Sequence, residues 1–185
     1  MKKVSLILAF CLLLGIFSLP STALALQKGD YVKNTEIRDA RDKPLFIPSL
    51  KKRLVLIFYV DPDEPNLNRE FAEAMKKTNF PAEYLTAMGI VNMKDAPLLP
   101  DWLLRFMVRR EIESDPRAKG VIFTDPDNLL QKAWKMGSCN NKFVIILIDK
   151  SGEVLFIKKD KMTQQEITGT IDLIAKVVDR DKAGK

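Results

Sequence analysis

The stretch L-V-L-I-F-Y-V-D-P-D-E-P-N, residues 54–66, decides the fold. Its first seven residues are all apolar, and a run without alternation is typical of a strand that is covered on both faces. The next six residues hold three carboxylates, two prolines and Asn66, which predicts a turn and the start of a helix. Apolar residues then recur at helical spacing, at Leu67, Phe71, Ala74 and Met75. We therefore predict a buried strand, an acidic loop, and an amphipathic helix that opens at Asn66.

Strand and helix signals alternate along the rest of the chain. Two short strands precede the buried strand, at 36–39 and 45–47. After the first helix, further strands are predicted at 85–91, 120–124, 143–148 and 153–157, and further helices at 98–112, around 129–134 and from Thr163. Alternating units are typical of a mostly parallel sheet with helices on both faces, and the closing hairpin adds an antiparallel edge. The predicted class is α/β, with a central mixed sheet in a three-layer α/β/α arrangement.

The last predicted helix has a capping box at its start. Thr163 takes the N-cap position, and Glu166 follows three residues later. The apolar pattern weakens after Asp179. We expect one domain over residues 26–179 and a frayed tail over residues 180–185.

The first 25 residues have the layout of a secretory signal peptide. Two lysines precede an apolar run from Val4 to Leu19, and the small-residue site Ala23-Leu24-Ala25 follows. A membrane anchor would need a longer apolar span, of ~20 residues, with no cleavage site behind it. We predict cleavage after Ala25, a mature chain from Leu26 without a transmembrane segment, and a periplasmic or secreted location.

The predicted mature chain is mildly basic. The whole sequence has a net charge of +6, and loss of the two leader lysines lowers it to +4. These charges are scattered and are not interleaved with aromatic residues, so nucleic acid is not an expected partner. An unknown envelope protein or a small ligand is the expected partner.

The cysteine and histidine content limits the reactions that this protein could catalyse. The sequence has two cysteines and no histidine, and Cys11 lies in the signal peptide. Cys139 alone would remain, which excludes an intramolecular disulfide. Without histidine, the commonest general base, the commonest zinc ligand and every Ser-His or Cys-His nucleophile pair are missing.

The order of elements resembles the thioredoxin fold in its exported, peroxiredoxin-like form. In such proteins a C-x-x-C pair or a single peroxidatic cysteine follows an apolar strand, where this chain has D-P-D-E-P-N (61–66). They also have a cis-proline before the later central strand, where this chain has S-C-N-N-K (138–142). The resemblance implies that the old active-site position has no sulfur and is occupied by Asp61, Asp63, Glu64 and Asn66.

Three stretches between residues 89 and 166 carry a narrower resemblance. They are G-I-V-N-M-K-D-A-P (89–97), V-I-F-T-D-P-D-N-L-L-Q-K-A-W (121–134), and V-I-I-L-I-D-K-S-G-E-V followed by M-T-Q-Q-E (144–154 and 162–166). Together they resemble the bacterial YtfJ family, exported proteins with a thioredoxin-like fold and a poorly defined function. This resemblance does not assign a catalytic role to any residue of the chain.

Acidic side chains are the other candidate ligands. Asp61, Asp63, Glu64 and Asp95 could hold calcium if the fold brought them together, but their spacing matches no calcium loop. We expect helix capping and loop solvation instead, with no metal and no cofactor.

The run L-L-P-D-W-L-L-R-F-M-V-R-R (98–110) is amphipathic and basic. Such a helix could meet a partner or a membrane surface. Because this helix also has to cover the sheet, we expect Trp102 and Phe106 to pack in the core. A groove that these two residues form with Trp134 is the alternative.

Two functions remain after these exclusions. The expected one is a non-catalytic binding or accessory protein of the cell envelope. The alternative is a thiol-dependent antioxidant or reductase that uses Cys139, whose loop should lie beside the first helix N-terminus. A lone cysteine usually behaves as a small hydrophobe, which favours the first function. For a signalling role the sequence offers no DNA-reading element.

Overall fold

The computed structural model describes residues 25–94, 100–114 and 121–184. The predicted signal peptide up to Leu24 and the candidate ligand Asp95 lie outside these residues. The elements follow the predicted order, with these bounds: β1 (Glu36–Arg38), β2 (Pro44–Phe46), β3 (Leu54–Val60), α1 (Arg69–Thr78), β4 (Leu85–Asn92), α2 (Asp101–Ser114), β5 (Ile122–Asp125), α3 (Leu129–Ala133), β6 (Phe143–Ile148), β7 (Val154–Lys159) and α4 (Gln164–Ala183).

One mixed sheet joins the seven strands of the described ranges in the order β2-β1-β5-β4-β3-β6-β7. β3 is parallel to β4 and antiparallel to β6, and β4 is also parallel to β5. The two runs without alternation, in β3 and β6, lie inside the sheet, and every residue of β6 is buried. Their apolar side chains are covered from both faces, as the pattern predicts.

Each face of the sheet carries its own core. On one face Leu56 and Ile145 pack with Phe71 of α1 and with the apolar side of α4. On the other face Ile57 and Ile146 pack in a cluster that includes α3 and the segment before β3. Helices therefore cover both faces, and the predicted α/β class with a mixed sheet is confirmed. The expectation that the sheet is mostly parallel is wrong, because four of the six strand pairs in the described ranges are antiparallel.

The final helix begins as predicted and ends later than predicted. Thr163 Oγ1 accepts from the Glu166 N–H at 3.2 Å, and Glu166 Oε2 accepts from the Thr163 N–H at 2.8 Å, which confirms the capping box. α4 continues to Ala183, so residues 180–183 are helical where the sequence predicts a frayed tail. Basic residues in the last turn interact favourably with the negative end of the helix dipole. An ion pair of 3.0 Å between Lys150 and Asp181 also holds that turn.

Candidate functional site

Residues 61–68, which we call the Asp61 loop, connect β3 to α1. Backbone hydrogen bonds of 3.0 to 3.3 Å make the loop a series of turns. α1 begins only at Arg69, so the prediction that the helix opens at Asn66 is wrong. The turns end at Asn68, which takes the N-cap position without a side-chain cap bond.

The side chain of Asn68 bonds to a distant segment of the chain instead of to α1. Its Oδ1 accepts from the Met162 N–H at 2.8 Å, and its Nδ2 donates to the Asp160 carbonyl at 3.0 Å. The side chain that could cap α1 therefore bonds to the segment between β7 and α4. This bond brings the loop and that segment together.

The carboxylates of the loop lie in different surroundings. Asp61 has no exposed surface, whereas Glu64 is half-buried and Asp63 and Asn66 are exposed. Asp61 Oδ1 accepts from the Asp63 N–H at 2.9 Å, and Oδ2 accepts from the Asn141 N–H at 2.7 Å. The Asp61 N–H donates to the Lys142 carbonyl at 3.1 Å. Asp61 therefore bonds both within its loop and to the segment before β6.

That segment, residues 137–142, is the Cys139 loop. Gly137 and Asn141 have positive φ angles of 70° and 54°, a conformation that glycine and asparagine tolerate best. All peptide bonds in the described ranges are trans. The left-handed backbone at Asn141 turns its N–H toward Asp61, which links the two loops at the position where the thioredoxin resemblance implies an active site.

Cys139 lies in the core beneath this loop. It has no exposed surface and belongs to the cluster that contains Trp134 and Met136. Its Sγ lies 3.7 Å from the Gly137 carbonyl oxygen. Thiol–disulfide exchange requires a thiolate that can reach a partner sulfur. The structure brings the Cys139 loop to the Asp61 loop as predicted, but places the thiol inside the protein.

Three buried polar residues lie at the carboxyl ends of neighbouring parallel strands. Asp61 follows β3, Asn92 ends β4 and Asp125 ends β5, with exposures of 0, 0 and 1 %. Asn92 of β4 pairs with Asp125 of β5 in the sheet register. One residue earlier, Val91 of β4 pairs with Val60, the last residue of β3 before Asp61. Ligands of open α/β sheets bind at this edge. Sequence reasoning missed Asn92, although a polar residue that closes an apolar strand was a usable signal.

Asp125 holds the start of α3. Its Oδ1 accepts from the Leu129 N–H at 2.8 Å, and its Oδ2 accepts from the Leu130 N–H at 3.1 Å and from the Tyr59 hydroxyl at 3.0 Å. Burial raises the pKa of Asp125 above its ordinary value, and these hydrogen bonds oppose the rise. The sequence Asp125-Pro126-Asp127 is typical of a turn and a helix cap, in agreement with this contact. The hydroxyl of Tyr59, inside an apolar run, was not expected to contribute.

An open cavity of about 440 Å³ lies beside the Asp61 loop. Asn66 and Leu67 line it together with four charged residues: Arg69, Glu70, Glu73 and Lys161. Arg69 and Glu73 form an ion pair with an N–O distance of 2.8 Å. The Lys161 Nζ lies 3.9 Å from a carboxylate oxygen of Glu70. A hydrogen bond from Arg69 lowers the pKa of Glu73. The walls of the cavity therefore present charges of both signs.

The acidic residues considered as candidate calcium ligands form no metal-binding group in the described part of the chain. Within it, no group of three or more Asp, Glu, Cys or His residues is placed to hold a metal ion. The fourth candidate, Asp95, lies outside the described residues.

α2 turns its aromatic side outward. Trp102, Phe106 and Met107 are 67, 47 and 53 % exposed, whereas Val108 is buried. The expectation that Trp102 and Phe106 pack in the core is wrong, because Val108 and an ion pair from Arg105 to Asp42 fix the rotation of the helix. The groove with Trp134 does not form either.

Trp134 has a separate structural role. It is buried and donates its Nε1–H to the Lys33 carbonyl at 2.9 Å. Neither α2 nor another helix of the described ranges is long and apolar enough to cross a membrane.

A family model and one bacterial relative match this chain in sequence. A family model described as "Bacterial protein of unknown function (YtfJ_HI0045)" matches residues 60–177. An uncharacterized protein of Haemophilus influenzae is 26% identical over 108 residues, which are 58% of this chain and 56% of that protein. The match thus spans little more than half of the relative's length.

Solved structures share the fold at low sequence identity. A peroxiredoxin-like protein from Aquifex aeolicus has a TM-score of 0.55 and 15% identity, with 82% of this chain and 90% of that chain covered. The exposed lipoprotein thioredoxin Etrx1 of Streptococcus pneumoniae has a TM-score of 0.53 and 13% identity, with 76% and 98% covered. The predicted thioredoxin-like fold is confirmed.

Proposed function

This chain belongs to the YtfJ_HI0045 family of bacterial proteins of unknown function, and from that premise we propose that it is a cell-envelope protein that binds a partner without redox chemistry. The proposed binding surface is the carboxyl edge of the sheet, where the Asp61 loop meets the Cys139 loop. The fold is thioredoxin-like, and the site differs from a redox site in the atoms that hold it together.

The hydrogen bonding of Asp61 carries the proposal. A thioredoxin-like oxidoreductase needs a reactive thiolate at this position, which a helix N-terminus favours. Here a buried carboxylate bonds to the backbone of Asp63 and Asn141 instead. A fixed negative charge disfavours a second anion beside it. The position therefore suits a clamp between two loops better than it suits a thiolate nucleophile.

The burial of Cys139 argues against the alternative function. A partner disulfide would have to reach a sulfur that has no exposed surface and that packs with Trp134. Buried cysteines in apolar surroundings act as small hydrophobes. We therefore favour binding over disulfide exchange.

The cavity beside the Asp61 loop indicates the chemistry of the partner. Arg69 and Lys161 face it with two carboxylates, so it offers both donors and acceptors. The guanidinium of arginine suits a carboxylate of the partner. A polar peptide segment with groups of both signs complements such walls.

The signal-peptide pattern and the position of Leu26 support a location in the envelope. Leu26 is the first residue of the predicted mature chain, and it packs partly buried against the core. Its N–H donates to the Lys135 carbonyl at 3.2 Å. The residue at the predicted new N-terminus is thus part of the folded domain. Mass spectrometry of the intact protein from the periplasmic fraction tests export. A mass that matches a chain starting at Leu26 supports it, and a full-length chain retained in membranes contradicts it.

Site-specific photocrosslinking tests the binding surface. We expect a photoreactive side chain at Asn66, in the cavity wall, to give a discrete adduct in envelope extract. The matched control carries the same group at Lys77, an exposed residue in the last turn of α1. Equal labelling at both positions, or no adduct at Asn66, would contradict the proposal.

A further inference from the structure

The exposed side of α2 combines aromatic and basic residues. Trp102, Phe106, Arg109 and Arg110 are all exposed, and their spacing of i, i+4, i+7 and i+8 puts them on one side of the helix. We call these four residues the outer face of α2. At about 100° per residue, the two arginines flank the aromatic pair. Val108, on the opposite side, is buried.

The middle of α2 is basic, although the whole helix has no net charge. Residues 102–110 contain three arginines and no acidic residue, because the carboxylates of the helix lie at its first residue and in its last four. Arg105 is engaged by Asp42. The arginines that remain on the outer face match a negatively charged surface.

The size of the outer face favours a lipid surface over a protein. A helix of 14 residues at ~1.5 Å rise and ~10 Å width presents about 200 Å² on one side. A stable protein interface needs about 800 Å² from each partner. A helix that lies in the bilayer interface needs only one face with Trp or Phe and with arginines that reach the headgroups.

We propose that the outer face of α2 docks on the surface of an anionic phospholipid bilayer. Trp102 and Phe106 enter the boundary between headgroups and acyl chains, and Arg109 and Arg110 bind the phosphates beside them. The helix stays folded and lies parallel to the membrane. This proposal does not depend on the function proposed for the Asp61 loop.

Vesicle sedimentation of the purified mature protein tests the proposal. We expect binding to vesicles of phosphatidylcholine mixed with phosphatidylglycerol, and little binding to phosphatidylcholine alone. The double variant Arg109→Gln/Arg110→Gln should bind roughly 30-fold more weakly, from the loss of two phosphate contacts. The double variant Trp102→Ala/Phe106→Ala should lose at least about tenfold.

Matched controls separate docking from general attraction. Lys76→Gln/Lys77→Gln removes the same charge from the exposed end of α1, and Tyr31→Ser removes another exposed aromatic, 69 % exposed. Both variants should bind within about threefold of the parent protein, because Lys76, Lys77 and Tyr31 lie outside the outer face.

Tryptophan fluorescence gives an independent measurement. The sequence has two tryptophans and Trp134 is buried, so a blue shift on adding vesicles reports Trp102. Trp102→Phe should abolish the shift while binding persists. Equal binding to both vesicle types, equal loss in the lysine variant, or a dimer in solution that Trp102→Ala/Phe106→Ala dissociates would each overturn the proposal.

Discussion

The carboxylate of Asp61 accepts a hydrogen bond of 2.7 Å from the backbone N–H of Asn141, a residue 80 positions away in the chain. This bond joins the loop after β3 to the loop before β6. Asp61 also accepts from Asp63 within its own loop. The region where the thioredoxin resemblance implies an active site is therefore held by a buried carboxylate.

We expect Asp61→Ala to lower the free energy of unfolding by about 2–4 kcal/mol, because two backbone N–H groups lose their acceptor in a buried place. Urea unfolding measures the change. Asp63→Ala is the control: its side chain is exposed, so it should cost less than about 0.5 kcal/mol. Equal costs in the two variants would mean that Asp61 does not clamp the loops.

The cap of α3 gives a second prediction. Asp125→Ala should cost about 2–4 kcal/mol, since it removes the cap from the backbone N–H groups and the partner of the Tyr59 hydroxyl. Tyr59→Phe removes only the hydroxyl and should cost about 0.5–1.5 kcal/mol. Thermal unfolding scans measure the loss of stability in both variants. A larger loss in Tyr59→Phe than in Asp125→Ala would show that the cap is not the main contribution.

Burial within the sheet gives a third prediction. Ile146 has no exposed surface, and its register partner Ile157 is only partly buried on the edge strand β7. Ile146→Ala should cost about 2–5 kcal/mol from lost transfer energy and the cavity left behind. Ile157→Ala should cost less, because the edge site can relax. A cost below about 1 kcal/mol for Ile146→Ala would contradict the buried position of β6.

Acid should weaken the start of α4. Hydrogen bonds from Lys158 and from the Thr163 backbone lower the pKa of Glu166 to about 2 from the ordinary 4.5. The stabilisation is therefore complete above about pH 4.5 and is lost as the pH falls toward 2. Glu166→Gln keeps the capping box without the charge. We expect the stability difference between the parent and this variant to shrink between pH 6 and pH 3, and a constant difference would contradict the assignment.

The sequence predicted the features that depend on local pattern. The apolar runs at 54–60 and 143–148 became the buried strands, since an unbroken run has no polar side to expose. The capping box at Thr163 formed because both of its bonds lie within four residues. The fold class and the order of the elements follow from these local signals.

Long-range contacts decided what the sequence could not predict. α1 begins at Arg69, and its N-cap residue Asn68 bonds to Asp160 and Met162, more than 90 residues away, instead of capping the helix with its side chain. The rotation of α2 depends on Arg105 and Asp42, which helical periodicity does not relate. Periodicity measures which residues share a face, but the partner of that face lies elsewhere in the chain.

The claim that this site works without sulfur is tested most directly by reduction of insulin disulfides with a thiol donor present. A lone buried thiol cannot close the exchange that releases a mixed disulfide. The protein without its predicted signal peptide and the Cys139→Ser variant of that protein should therefore both leave the reaction at the rate of the donor alone. Turnover by the parent protein that disappears in Cys139→Ser would contradict the claim.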